Sequence, residues 1–107
     1  MTKPIPIGMC ISPEKASALA PGYDYLELPL SRSLIPLEAD EVYASRQPGL
    51  DNLRPRIRAF NLFVPGQLKL VGEDVDWQRV ELYVERALRR AANLGGDVVV
   101  FGSGGAR

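Results

Sequence analysis

The sequence contains no histidine, a single cysteine and no excess of either charge. Without histidine the chain lacks the commonest general base and the commonest metal ligand, so no Ser-His-Asp or Cys-His mechanism can be assembled from its residues. One cysteine, Cys10, excludes an intramolecular disulfide, and a reduced, intracellular setting is expected. Thirteen basic residues cancel thirteen acidic ones, which leaves sequence-independent nucleic-acid binding without electrostatic support. The only basic cluster, Arg54-Pro55-Arg56-Ile57-Arg58, reads as a solvated loop and strand entrance rather than a phosphate-binding patch. Long apolar runs are also missing. Nothing approaches the roughly 20 residues of a membrane span, and the segment after Met1-Thr2-Lys3-Pro4 is too short for a signal h-region. A cytoplasmic protein without membrane or nucleic-acid partners is expected.

What is present is a globular composition, 46% apolar and 24% charged, over 107 residues. That suits one domain, taken as 1–107. Apolar runs alternate with helical stretches. The run from Ile5 to Ile11 predicts a first strand, and Ser12-Pro13-Glu14 a helix start with proline in its first turn. That short helix should run to about Ala20, before Pro21-Gly22. A second strand is predicted over 23–28, ended by Pro29. A second helix is placed at 36–46, with Leu37, Val42 and Tyr43 on its apolar side, broken by Gln47-Pro48-Gly49. Residues 50 to 56 fit no single element. A third strand covers 57–63, closed by Pro65-Gly66.

The longest helix is predicted over 75–94, started by Asp74 or Asp76 where a carboxylate suits the macrodipole. Trp77, Val80, Val84, Ala87, Leu88, Ala91 and Leu94 recur at three- and four-residue intervals and should pack on the core. Glu85 and Arg89 form an i,i+4 pair, and Gly95-Gly96 stops the helix. The near-continuous run at 97–101 suits a parallel strand buried on both faces. The order β-α-β-α-β-α-β implies an α/β fold with a parallel sheet and right-handed crossovers.

The order of Tyr25-Leu26-Glu27-Leu28, Asn61 to Gly66, Leu68 to Gly72, Tyr83 to Leu94 and Val99 to Arg107 resembles the xylose-isomerase-like TIM-barrel superfamily, in particular its sugar phosphate isomerases/epimerases. The resemblance covers nearly the whole chain. It implies eight β/α units in the complete protein, of which this sequence holds four strands and three helices: half of a (β/α)8 TIM barrel. The family's divalent metal is held by two glutamates, an aspartate and a histidine on the last four strands. None of those positions lies in this sequence, so no metal ligand and no catalytic residue is assigned here, and the chain is expected to be inactive by itself.

Active sites of such barrels lie at the C-terminal ends of the strands. That location selects Cys10, Glu27, Asn61 and the segment Gly102 to Arg107, with Glu27, Asn61, Ser103 and Arg107 as substrate-binding candidates. Period-two alternation puts Tyr25 and Glu27 on one strand face and Leu26 and Leu28 on the other. An inward Glu27 is costly unless it is functional or partnered by an arginine or a backbone amide. Asn61, on a face with Ala59 and Phe63, suits a polyol hydroxyl, or it fastens the following loop. Cys10 is expected to be a small buried residue rather than a reactive thiol, since no cation adjoins it in sequence. Gly102-Ser103-Gly104-Gly105 offers amides to an anion or simply forms a tight loop.

The reading that follows is the N-terminal half of a metal-dependent sugar or sugar phosphate isomerase/epimerase, with a small sugar as ligand. A noncatalytic, self-associating half-barrel module is one alternative. A small flavodoxin-like domain binding a phosphate ligand is another. Open edges at Ile5–Ile11 and Val98–Phe101, and an inward face with Ile7, Met9, Ala59 and Phe63, predict a homo-oligomer.

Overall fold

The computed structural model describes residues 4–102; the candidates Ser103 and Arg107 lie outside them. Four parallel strands form one sheet in sequential order: β1 (Gly8–Cys10), β2 (Tyr25–Pro29), β3 (Ile57–Asn61) and β4 (Val98–Val99). Between them lie a 3-10 helix (Pro13–Ala18), three short helices α1 (Leu30–Ser33), α2 (Asp40–Ala44) and α3 (Gln47–Asp51), and the long helix α4 (Trp77–Asn93). The α/β class and parallel sheet agree with the sequence reading. A doubly wound sheet reverses its strand order next to the first strand. Across the described residues this sheet does not reverse, and right-handed crossovers then put every helical connection on one face.

That face is the core. Leu26, Leu28 and Phe60 are fully buried, and Val80, Tyr83, Ala87 and Ala91 of α4, with Leu94 just past its end, pack into the same cluster. Each fully buried Leu or Phe contributes roughly 1.5–3 kcal/mol of transfer free energy. At the N-terminus of α4, Asp76 accepts a hydrogen bond from the Arg79 backbone N–H at 3.1 Å, so Asp76 rather than Asp74 is the cap. At its other end Gly95 takes φ +83, and a Cβ at Gly96 would meet the Phe60 ring at 2.6 Å. The sharp turn and the close approach explain the glycine pair.

Several expectations need correction. The α4 stripe is rotated from the predicted one: Trp77 is 62% and Leu88 47% exposed, while Tyr83 and Arg90 are fully buried. The Tyr83 tip is satisfied, and Arg90 is partnered through both terminal nitrogens while its buried Nε has no partner among the described residues. The Tyr83 hydroxyl donates to the Phe63 carbonyl, and the Arg90 guanidinium donates to Leu34 and Ile35 carbonyls at 2.8 Å and Glu38 at 3.0 Å. The region 36–46 is not one helix. Ile35 takes φ +40, the helix begins only at Asp40, and Tyr43 rather than Val42 turns inward, stacked 4.6 Å from the Arg90 guanidinium. Gln47-Pro48-Gly49 opens α3 instead of breaking a helix, because proline in a first turn gives up no needed N–H. The 3-10 helix ends at Ala18, short of Ala20.

All four strands are shorter than predicted. β4 is not buried on both faces: Val98 is 44%, Val100 45% and Phe101 61% exposed. It is an edge strand paired to β3 alone, with helices on one side only. Met9 pairs in register with Leu26, which turns it to the helix face, so Gly8 and Cys10 lie on the opposite face of the sheet instead.

Candidate functional site

The register between β2 and β3 is irregular: Leu26 pairs with Ile57, but Glu27 pairs with Ala59. Arg58 is the extra residue, a β-bulge that adds one position to β3. Its consequence is chemical. Ile57 belongs to the helix-side core, and strict alternation from it would carry Ala59 and Asn61 to that same side. The bulge resets the alternation, so Phe60 enters the core and Asn61 emerges on the face of Glu27. Arg58 itself reaches over the Tyr25 ring at 5.5 Å and meets Asp97 at 3.3 Å. Tyr25 in turn lies across Gly8, where a Cβ would come within 2.2 Å of its ring.

At the C-terminal ends of β1, β2 and β3 three side chains converge. The Asn61 amide Nδ2 donates to Glu27 Oε2 at 2.7 Å and to Cys10 Sγ at 3.0 Å. A carboxylate accepts only, so this geometry orients the amide with its Nδ2 toward the carboxylate. Glu27 Oε1 and Asn61 Oδ1 are left as acceptors without a partner among the described residues. The partner of Glu27 is therefore a side-chain amide, neither an arginine nor a backbone N–H. Directly after Asn61, Leu62 takes φ +49 and its carbonyl receives the Ser31 N–H at 3.4 Å. A left-handed leucine costs about 1 kcal/mol or more, which locates local strain at the mouth of this cluster.

Cys10 is exposed, against the expectation of a buried residue, because it stands on the open face of a sheet whose helices all lie on the other. Beside the cluster is a hollow of about 330 Å³ lined by Cys10, Ser12, Lys15, Arg32, Asn61 and Leu62, among others. A second hollow of about 530 Å³ shares Ser12, Pro29 and Arg32 with it and extends to Arg46 and Leu50. Sequence reasoning missed Lys15 and Arg32. Each follows a predicted strand by a few residues, which is where a barrel-type site draws its loops, and that signal was legible.

The structure brings Glu27 and Asn61 together and adds Cys10. Ser103 and Arg107 lie outside the described residues. No group of three or more Cys, Asp or Glu able to hold a metal occurs among the described residues, and one thiol, one carboxylate and one amide make a poor donor set for a hard divalent cation. No helix among them is long and apolar enough to cross a membrane. Comparison with protein-family models, curated proteins and solved structures finds no match.

Proposed function

We propose that this chain is the substrate-binding N-terminal half of a sugar isomerase/epimerase-like barrel, and that it binds a polyol without turning it over. The observation that carries the reading is the 2.7 Å bond between Glu27 and Asn61 at the C-terminal ends of neighbouring parallel strands. It leaves two acceptor oxygens, Glu27 Oε1 and Asn61 Oδ1, for the hydroxyl donors of a sugar. Sequential strand order is the order a half-barrel requires, and the resemblance to xylose-isomerase-like proteins supplies the substrate class. In that reading a divalent metal belongs to residues of the other half.

Calorimetric titration with fructose tests this reading. Saturable binding that is lost in Asn61→Ala, with no ketose isomerised in the presence of any divalent cation, is the expected result. Chelator-sensitive turnover by the chain alone would overturn the assignment of a noncatalytic half.

A second reading, self-association of two half-barrels, is favoured by the exposure of Val98, Val100 and Phe101 at the β4 edge. It is compatible with the first, since a barrel of this type closes with eight strands.

A further inference from the structure

We infer that the chain has a second ligand site, in the hollow lined by the 3-10 helix, α1 and α3, and that this site takes a small carboxylate with an apolar body. It is independent of the polyol reading, since none of Cys10, Glu27 and Asn61 lines this hollow. A volume of about 530 Å³ lies within the range of small-molecule sites. Pro13 and Leu53, half-buried, and Pro29 and Leu50, buried, give it an apolar wall on which an alkyl or aryl body is drawn out of water.

Two donors mark the polar end. Ser33 lines the hollow and is 1% exposed, yet its hydroxyl has no hydrogen-bond partner among the described residues. Buried hydroxyls are nearly always paired, so an orphan beside a cavity points to a ligand that pairs it. Arg46 lines the same hollow, and its Nη1 donates to the Arg32 carbonyl at 2.6 Å. That bond fixes the guanidinium against the backbone one residue before Ser33. Arg46 forms no ion pair among the described residues, where the ion pairs are those of Arg58, Arg89 and Arg90. With Nη1 engaged, Nε and Nη2 keep the planar two-donor edge that matches a carboxylate. Charge selects among anions. The charged residues lining the hollow are Arg32, Arg46 and Glu14, two cations against one carboxylate. The single excess positive charge balances a monocarboxylate, and Glu14 opposes the second charge of a dianion.

Calorimetric titration of the full chain with 3-phenylpropionate tests this site. Saturable binding is expected, with the uncharged 3-phenylpropionamide about tenfold weaker or worse. Ser33→Ala should weaken the carboxylate about tenfold. Its thermal midpoint should not fall, because the hydroxyl it removes has no partner in the free chain. Arg46→Gln should weaken binding at least as much; if that variant unfolds, Ser33→Ala alone decides. Asn61→Ala, in the other cluster, should leave the affinity unchanged. Equal affinity for acid and amide, or binding that survives Ser33→Ala undiminished, overturns the inference. So does binding that Asn61→Ala abolishes, which would move the carboxylate to the Glu27 cluster, and so does a failure to saturate at millimolar concentration. Fructose binding is read separately, so none of these failures removes the polyol reading.

Discussion

Glu27 and Asn61, thirty-four positions apart in sequence, share a 2.7 Å hydrogen bond across neighbouring strands. Its donor is a neutral amide, so the carboxylate's charge strengthens the bond but no ion pair is broken when that charge is removed. A glutamine at position 27 keeps an acceptor oxygen in the same place. Glu27→Gln should therefore change stability by less than about 1 kcal/mol, the scale of one neutral hydrogen bond. Denaturant unfolding measures this. A loss of 3 kcal/mol or more, on the order expected for breaking a buried ion pair, would show that the charge has a structural task and would count against a binding role.

Arg90 should be the costliest single side chain to remove. It is 1% exposed and ties three carbonyls of the segment 34–38 and the Asp40 carboxylate to α4. Arg90→Ala leaves those carbonyls unpaired and empties a site under the Tyr43 ring, for a loss on the order of 3 kcal/mol. Arg90→Lys should recover only part of it, because an ammonium cannot reproduce the planar fork. Equal midpoints for the lysine variant and the native chain would contradict this account.

Asp40 ties stability to pH. Its carboxyl lies below the ordinary carboxylate range, chiefly through the hydrogen bond from Arg90 and then that from Arg89. A folded-state value below the unfolded one makes its contribution complete above the unfolded value, near pH 4, and lost as pH falls through the folded value. The stability gap between the native chain and Asp40→Asn should thus be open at neutral pH and close below about pH 4. Asp40 and Arg89 are exposed whereas Arg90 is buried, so added salt should narrow the part of the gap that Arg89 contributes. A gap that persists undiminished into strong acid would show that another cause produces it.

Self-association should be visible in solution. Ile5 is 85%, Ile7 61% and Phe101 61% exposed, flanking strands at opposite edges of the sheet. Unpaired parallel edges with apolar flanks invite a second copy, and two-fold pairing closes both edges together. Light scattering at micromolar concentration should give the mass of two chains, with a thermal midpoint that rises with concentration. A single-chain mass with a concentration-independent midpoint would dismiss the dimer.

Local pattern alone determined the α/β class, the order of the four strands and the long helix, because period-two and 3.6-residue repeats and the Gly95-Gly96 stop are written in consecutive residues. The opposing faces of β2, buried Leu26 and Leu28 against half-exposed Glu27, were legible for the same reason. So was Glu27 itself as a candidate, since one carboxylate between leucines stands out. The pairing of Glu27 with Asn61 was not legible in full: it needs the bulge at Arg58, and a bulge is set by how two strands fit, not by either alone. The same holds for Arg90, polar by composition and buried because carbonyls from a loop about fifty residues earlier surround it. It holds for Cys10, exposed because all the described helices cover the opposite face of its sheet. Burial and polar partnership depend on neighbours distant in the chain, and only the tertiary structure decided those.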